Sequence, residues 1–246
     1  MKDLRACYDD IAKLLGADAE SYESVALVEE YRRYWRPDKV RIILLAESHV
    51  YTTDADREYE LRDIYGLPDY PTPYAKFVYC LAYGEDSLTQ GQTHPAVDGT
   101  PQFWKIFHSC MNDPTAVAAF SPVLKSRTTI TQRIENKIRL LKDLKNCGVW
   151  LVDTSIMALY DGGKKSKHKL MTHALRTSWL GYTRQVLQDA APEHVIIIGK
   201  GVAKSVEPEL QEDMGTRYTV IAQPNAHLSA EQHQENFKTY YRICSS

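Results

Sequence analysis

Apolar residues recur at helical spacing from Leu4 to Leu15, through Leu4, Tyr8, Ile11, Leu14 and Leu15. The habit returns from Ser21 to Tyr34 with Val25, Leu27, Val28 and Tyr31. Such spacing gathers apolar side chains on one face of an α-helix and predicts two opening helices. Four runs have a different texture: Val40–Ala46, Val149–Val152, His194–Ile198 and Tyr218–Ala222 are short, rich in β-branched residues and without polar alternation. That pattern predicts strands covered on both faces, as in a parallel sheet. Helical periodicity marks Gln102–Cys110, Thr131–Leu144, Leu175–Asp189, Ala203–Leu210 and Ala230–Tyr241. Residues 52–100 are rich in Tyr, Pro and Asp around one further predicted helix, Tyr74–Tyr83. The alternation of strand and helix predicts an α/β fold, three layers α/β/α around a central four-stranded parallel sheet.

Composition narrows the class. A chain of 246 residues, 43% hydrophobic, has enough apolar mass for one α/β domain over 1–246, with the helices of 1–38 packed on it. The formal charge of -2 exerts no global pull on a polyanion, so any nucleic-acid contact needs a local basic patch. Five cysteines, scattered and without a CxxC pair, suggest neither a disulfide framework nor a metal cage and fit a reducing cytoplasm. The start, MKDLRACYDDIAKLL, lacks the apolar core of a signal peptide, and no apolar run approaches the ~20 residues that span a bilayer. A soluble, membrane-free protein is the expectation.

In an open parallel sheet, ligands bind beyond the carboxyl ends of the strands, where loops converge and helix N-termini present their amides. All four predicted exits are polar. Glu47, Ser48 and His49 follow the first, and Asp153, Thr154 and Ser155 the second. Gly199, Lys200 and Gly201 follow the third, and Gln223, Pro224, Asn225 and His227 the fourth. Asp, Ser, Thr and Gly also serve as ordinary loop and capping residues. Four exits loaded together point to a pocket.

In this order the exits resemble the motifs of the uracil-DNA glycosylase superfamily. Its first motif, G-Q-D-P-Y-H or G-E-x-P-G in different branches, is similar to Ala46-Glu47-Ser48-His49-Val50-Tyr51. Its last motif, H-P-S-P-L-S or a variant, is similar to Gln223-Pro224-Asn225-Ala226-His227-Leu228-Ser229, one residue longer. Between them, GVWLVDTSIMAL resembles the strand that ends in a base-reading Asn, TSWLGYTRQVL the helix after it, and HVIIIGKGVAKSV the third strand. The likeness runs from Val40 to the C-terminus, and its specificity lies in the order of motifs that are each degenerate.

The resemblance implies cleavage of a base from deoxyribose, through an oxocarbenium-like sugar cation and a departing base anion. That chemistry asks for a carboxylate, a donor to the anion and a pocket for an extruded base. Glu47 matches the Glu of G-E-x-P-G, and the alternative for it is a capping or ion-paired acid. Ser48 stands where one branch has its water-activating Asp. Gln223 stands where the family has its anion-stabilising His, so the imidazole falls to His227, if the extra residue bulges the loop, or to His49. Tyr51 and Asn225 are further pocket residues, with Tyr51 as a wall.

Asp153 replaces the base-reading Asn. An ionised carboxylate only accepts hydrogen bonds, which disfavours the uracil O4 edge; the other reading of Asp153 is an N-cap of a following helix. Phe77, in YAKFVYCLAYG, is either the base-stacking aromatic or core. Phosphate contacts are assigned to Lys164, Lys165, Lys167 and Lys169 in GGKKSKHK and to Lys200 between two glycines, with Lys125, Arg127, Arg133, Lys137 and Arg139 as an extension.

The leading expectation is therefore a monomeric DNA-base glycosylase-like hydrolase of a deaminated or damaged base, with DNA as partner and without a cofactor or metal. The alternative is an inactive nucleic-acid- or nucleotide-binding member of the same fold. A small-molecule hydrolase built on Glu47 and His49, with a metal, is a third, although two ligands are few for one. Glu47→Ala and Asp153→Asn are expected to alter activity while leaving thermal stability nearly unchanged.

Overall fold

The structure, a computed structural model, describes residues 3–90, 99–115, 117–125, 128–161, 164–165, 168–224 and 226–246, with backbone alone at 117–118, 160–161, 164–165 and 168–169. Four strands, β1 (Ile42–Ala46), β2 (Val149–Asp153), β3 (His194–Ile198) and β4 (Tyr218–Ile221), form an all-parallel sheet in the order β2-β1-β3-β4. Helices flank it to give three layers: α1 (Leu4–Leu15), α2 (Tyr22–Tyr34), α3 (Asp54–Arg57), α4 (Pro101–Met111), α5 (Ile130–Asn146), α6 (His168–Ser178), α7 (Arg184–Ala190), α8 (Lys200–Met214) and α9 (Ala230–Ser245). Helix α5 packs on β2, and α8 on β3 and β4. Among the described residues no helix is long and apolar enough to cross a membrane.

The apolar runs explain the sheet. Every residue of β1 and β2 is buried, and β3 is buried from Val195 onward, so helices must cover both faces. Each such aliphatic side chain contributes about 1.5–3 kcal/mol on leaving water. The fourth strand departs from the expectation: in β4 only Ile221 is buried, because it lies at the edge of the sheet and its flank is open.

A second, smaller apolar cluster fixes the N-terminal helices. Leu4, Cys7, Ile11 and Leu15 line one face of α1, and they pack with Ile156, Met157 and Leu159 from the loop after β2 and with Leu175 of α6. The opening helices thus press on the very loop that leaves the second strand.

Two predicted helices differ from what the chain forms. Tyr74–Tyr83 is a string of turns, with Cys80 N bonded to Phe77 O at 2.9 Å and Tyr83 N to Cys80 O at 2.9 Å. Nearly all of it is buried, and the Tyr70 hydroxyl accepts from Leu81 N at 2.8 Å and donates to Tyr79 O at 2.6 Å. A buried side-chain hydroxyl here takes backbone groups that a helical ladder would have used. The stretch read as one helix over Leu175–Asp189 is interrupted by a π-turn at Trp179–Thr183 between α6 and α7.

Candidate functional site

The register of the sheet brings the exits side by side. Ala46 pairs with Asp153, Leu45 with Ile197, and Ile198 with Ile221, so all four strands end at one level. Backbone bonds continue past the strands: Thr154 N to Ala46 O at 2.8 Å, Ser155 N to Glu47 O at 2.9 Å and Gly199 N to Ile221 O at 2.7 Å. The rim is a continuation of the ladder.

Two exits that are not neighbours meet across it. Gln223 follows β4 and Glu47 follows β1, with β3 between them. The Gln223 amide nevertheless donates to Glu47 Oε2 at 3.4 Å. It can do so because residue 199, at the end of β3, is glycine: a Cβ there would stand 2.7 Å from Gln223 Cγ. Gly199 also has φ +112°, a conformation that side chains rarely adopt. The Gly at the third strand end therefore lets the last exit fold back over the sheet onto the first. Glu47, Ser48 and Gln223 are all half-buried, open enough to meet a ligand. Ser48 Oγ accepts from Leu159 N at 3.4 Å, tying the first exit to the second.

Beneath this rim lies a buried charged network. The His49 side chain is fully enclosed, with Nε2 2.7 Å from Glu20 Oε1 and Nδ1 3.8 Å from Asp153 Oδ2. Arg32, 3% exposed, donates from Nη2 to Asp153 Oδ2 at 3.0 Å and from Nη1 to Glu29 Oε2. The Tyr182 hydroxyl donates to Glu29 Oε1 at 2.8 Å. Burial pulls the Arg32 guanidinium toward neutrality, and Glu29 and Asp153 outweigh it, so its proton is held more firmly than usual. Burial, followed by the Glu29 charge, pushes the Tyr182 phenol up to about 12. Tyr182 sits in the π-turn, and its neighbour Thr183 donates to Thr154 O at 3.1 Å. The extra residue of a π-turn rotates the succeeding helical residues by about 100° relative to a regular helix, and here consecutive side chains reach two partners, Tyr182 the buried Glu29 and Thr183 the second exit.

This network revises several expected roles. Asp153 neither faces the rim nor caps a helix, since its carboxylate is spent on Arg32 and bends follow it at 154–157. His49 points inward, where Nε2 bonds Glu20 and Nδ1 lies 3.8 Å from the Asp153 carboxylate without a hydrogen bond, and neither nitrogen bonds Glu47. Phe77, 2% exposed, is core: the Arg32 guanidinium lies 5.5 Å over its ring, and His49 and Tyr79 meet it edge-on. Tyr51 is half-buried and donates to Ala19 O at 3.4 Å, behind the rim. His227 is exposed beyond the fourth exit.

The basic positions divide likewise. Lys200 is exposed as the first residue of α8. The backbone of Lys164 and Lys165 pairs antiparallel with Tyr160 and Asp161, and Lys169 is in α6; their side chains, with Lys167, Arg127 and Asn225, lie outside the described residues. Lys125 and Arg139 are exposed. Arg133 and Lys137 are withdrawn from any basic surface, because both are buried on Glu85. Among the described residues no group of three or more His, Cys, Asp or Glu side chains could hold a metal ion.

No family model, curated protein or solved structure matches this chain. At the rim a carboxylate and an amide converge at the carboxyl end of a parallel sheet, beside an exposed lysine at a helix start.

The residues missed in the sequence are Glu20, Glu29, Arg32 and Tyr182. A signal existed for two of them. Val25, Val28, Glu29 and Arg32 recur at helical spacing and are all buried in α2, so an acid and a base stood on the apolar stripe, where charges are kept only when paired.

Proposed function

We propose that the chain is a divergent relative of the uracil-DNA glycosylase superfamily, hydrolysing the N-glycosidic bond of a deaminated or related base in DNA. The observation that supports this most is the approach of Gln223 Nε2 to Glu47 Oε2 at 3.4 Å over Gly199, which joins the first and last exits at one place. Glu47 would orient or deprotonate the attacking water and offset the charge of the oxocarbenium-like sugar. Gln223 carries both an NH2 donor and a C=O acceptor, so it suits one edge of uracil and can donate to the leaving base anion. With Asp153 bonded to Arg32, base reading passes to Gln223 and the neighbouring backbone. Lys200, at the start of α8, is suited to a phosphate.

One observation favours a second reading, a member of the same fold that binds a nucleic acid or nucleotide without cleaving it. The imidazole of the first exit, His49, is enclosed between Glu20 and Asp153 and away from the rim. The two are separated by incubating the protein with single- and double-stranded oligonucleotides carrying uracil, hypoxanthine, xanthine or a mismatch. Abasic sites that form with wild type and vanish with Glu47→Ala support hydrolysis. Binding that weakens steeply with salt, without strand scission after alkali, supports the second reading.

A further inference from the structure

We infer that Glu20, in the turn between α1 and α2, is the positioning residue of the rim, and that residues 19–24 are its back-plate. One oxygen, Glu20 Oε1, accepts from His49 Nε2 at 2.7 Å and from Ala158 N at 2.6 Å. His49 belongs to the loop leaving β1 and Ala158 to the loop leaving β2, so a single carboxylate oxygen clamps two exits together from behind. Glu20 is 1% exposed, and His49 and Ala158 are 4% and 3% exposed.

Burying a carboxylate costs several kcal/mol unless hydrogen bonds and charge offset it, and an apolar contact would hold two loops at less cost. What an apolar contact lacks is direction. A shared acceptor fixes the orientation of the imidazole and of the Ala158 amide together. The residues around it serve the same loop: Ser24 Oγ, in the first turn of α2, donates to Thr52 O at 2.9 Å, Ser21 Oγ to Asp54 Oδ1 at 2.7 Å and Tyr51 Oη to Ala19 O at 3.4 Å. The Glu20 backbone is itself anchored, its carbonyl accepting from Tyr8 Oη at 3.0 Å. Residues 51–54 are thus bound to 19–24 through side chains of both segments. The catalytic consequence rests on the proposed hydrolysis: Glu47 and Ser48 lie on the loop that Glu20 holds, and a misplacement of about 1 Å costs on the order of 100-fold in rate.

The test is hydrogen exchange read by mass spectrometry on Glu20→Ala and Glu20→Gln, with His49 followed by ring-nitrogen NMR. In Glu20→Ala, exchange should rise about tenfold or more in peptides covering 47–52 and 154–159, while β1 to β4 stay protected. In Glu20→Gln, whose amide oxygen still accepts, the Ala158 amide should keep most of its protection while the His49 ring signals move. If Glu20→Ala does not fold, Glu20→Gln decides: wild-type His49 signals would overturn the inference. So would unchanged exchange at both exits in a folded Glu20→Ala protein. These readouts need no substrate, so they stand even if no oligonucleotide is cleaved. Where cleavage occurs, Glu20→Ala should lower kcat at nearly constant KM, and Glu20→Gln should restore most of it.

Discussion

Gly199 lies directly beneath Gln223, so close that a methyl group on the glycine would stand 2.7 Å from Gln223 Cγ. Replacing it with Ala forces Gln223 off Glu47 and places a side chain at φ +112°, a region that costs about 1–3 kcal/mol outside glycine. Gly199→Ala is expected to lower the urea midpoint accordingly, without changing the slope, and to abolish the activity proposed for the rim. A variant of wild-type stability and turnover would show that Gln223 has no need to cross the third exit.

Glu47 and Asp153 both stand at strand exits and end in opposite situations. Glu47 is half-buried on the rim, with Gln223 3.4 Å away, so Glu47→Ala should change stability by less than about 1 kcal/mol. Asp153 is 3% exposed and answers the charge of Arg32, and Asp153→Asn leaves the buried guanidinium donating to a neutral amide oxygen with one countercharge lost, for a loss of about 1.5–3 kcal/mol. The sequence suggested that both substitutions leave stability nearly unchanged; the structure predicts this for Glu47→Ala alone. Urea denaturation of the two variants side by side checks this, and equal midpoints would contradict it.

That contrast shows what was legible. The strands were visible because burial on both faces demands an unbroken apolar run, and three of the four show that burial almost throughout. The rim followed from chain order alone, since parallel strands must end together and their exits must meet. The direction of side chains at the exits was not visible. Asp153 turns toward Arg32 and His49 toward Glu20, partners 121 and 29 residues away. No local pattern records a pairing across such distances. The string Tyr74–Tyr83 differs for a related reason: apart from Lys76 the segment is buried and has no polar face, so its apolar residues fit a helix and a chain of turns equally well.

Tyr182 bonds Glu29 and Thr183 bonds Thr154, and among the described residues the phenol shares the buried Glu29 carboxylate with Arg32 and Arg33. Tyr182→Phe removes one donor from a buried acceptor, with an expected cost of about 1–2 kcal/mol. Because Thr183 still holds the second exit, exchange at 154–159 should stay near wild type. Large deprotection there would mean that the hydroxyl of Tyr182, and not the register of the turn, holds the loop.

Glu85 binds Arg133 through two bonds of 2.6 and 2.7 Å and Lys137 at 2.7 Å, all three groups buried. Burial raises the affinity of Glu85 for a proton, but Arg133 and Lys137 overcome it, and the carboxyl is held below its ordinary 4.5. A depressed folded-state value means that the carboxylate stabilises the protein fully above about pH 4.5 and that this contribution fades as pH falls through the lower folded value. Asp56 is depressed as well, Lys76 and Thr53 outweighing its burial, and it adds to the same acid limb. Glu85→Gln leaves two buried cations facing a neutral amide, so it should cost about 3–5 kcal/mol at pH 7. Below pH 4.5 wild type protonates toward the same neutral state, and the gap between the two proteins should shrink. Urea denaturation at pH 7 and at a pH well below 4.5 measures that gap. A gap of constant size would mean that Glu85 keeps its ordinary affinity for a proton in the folded protein.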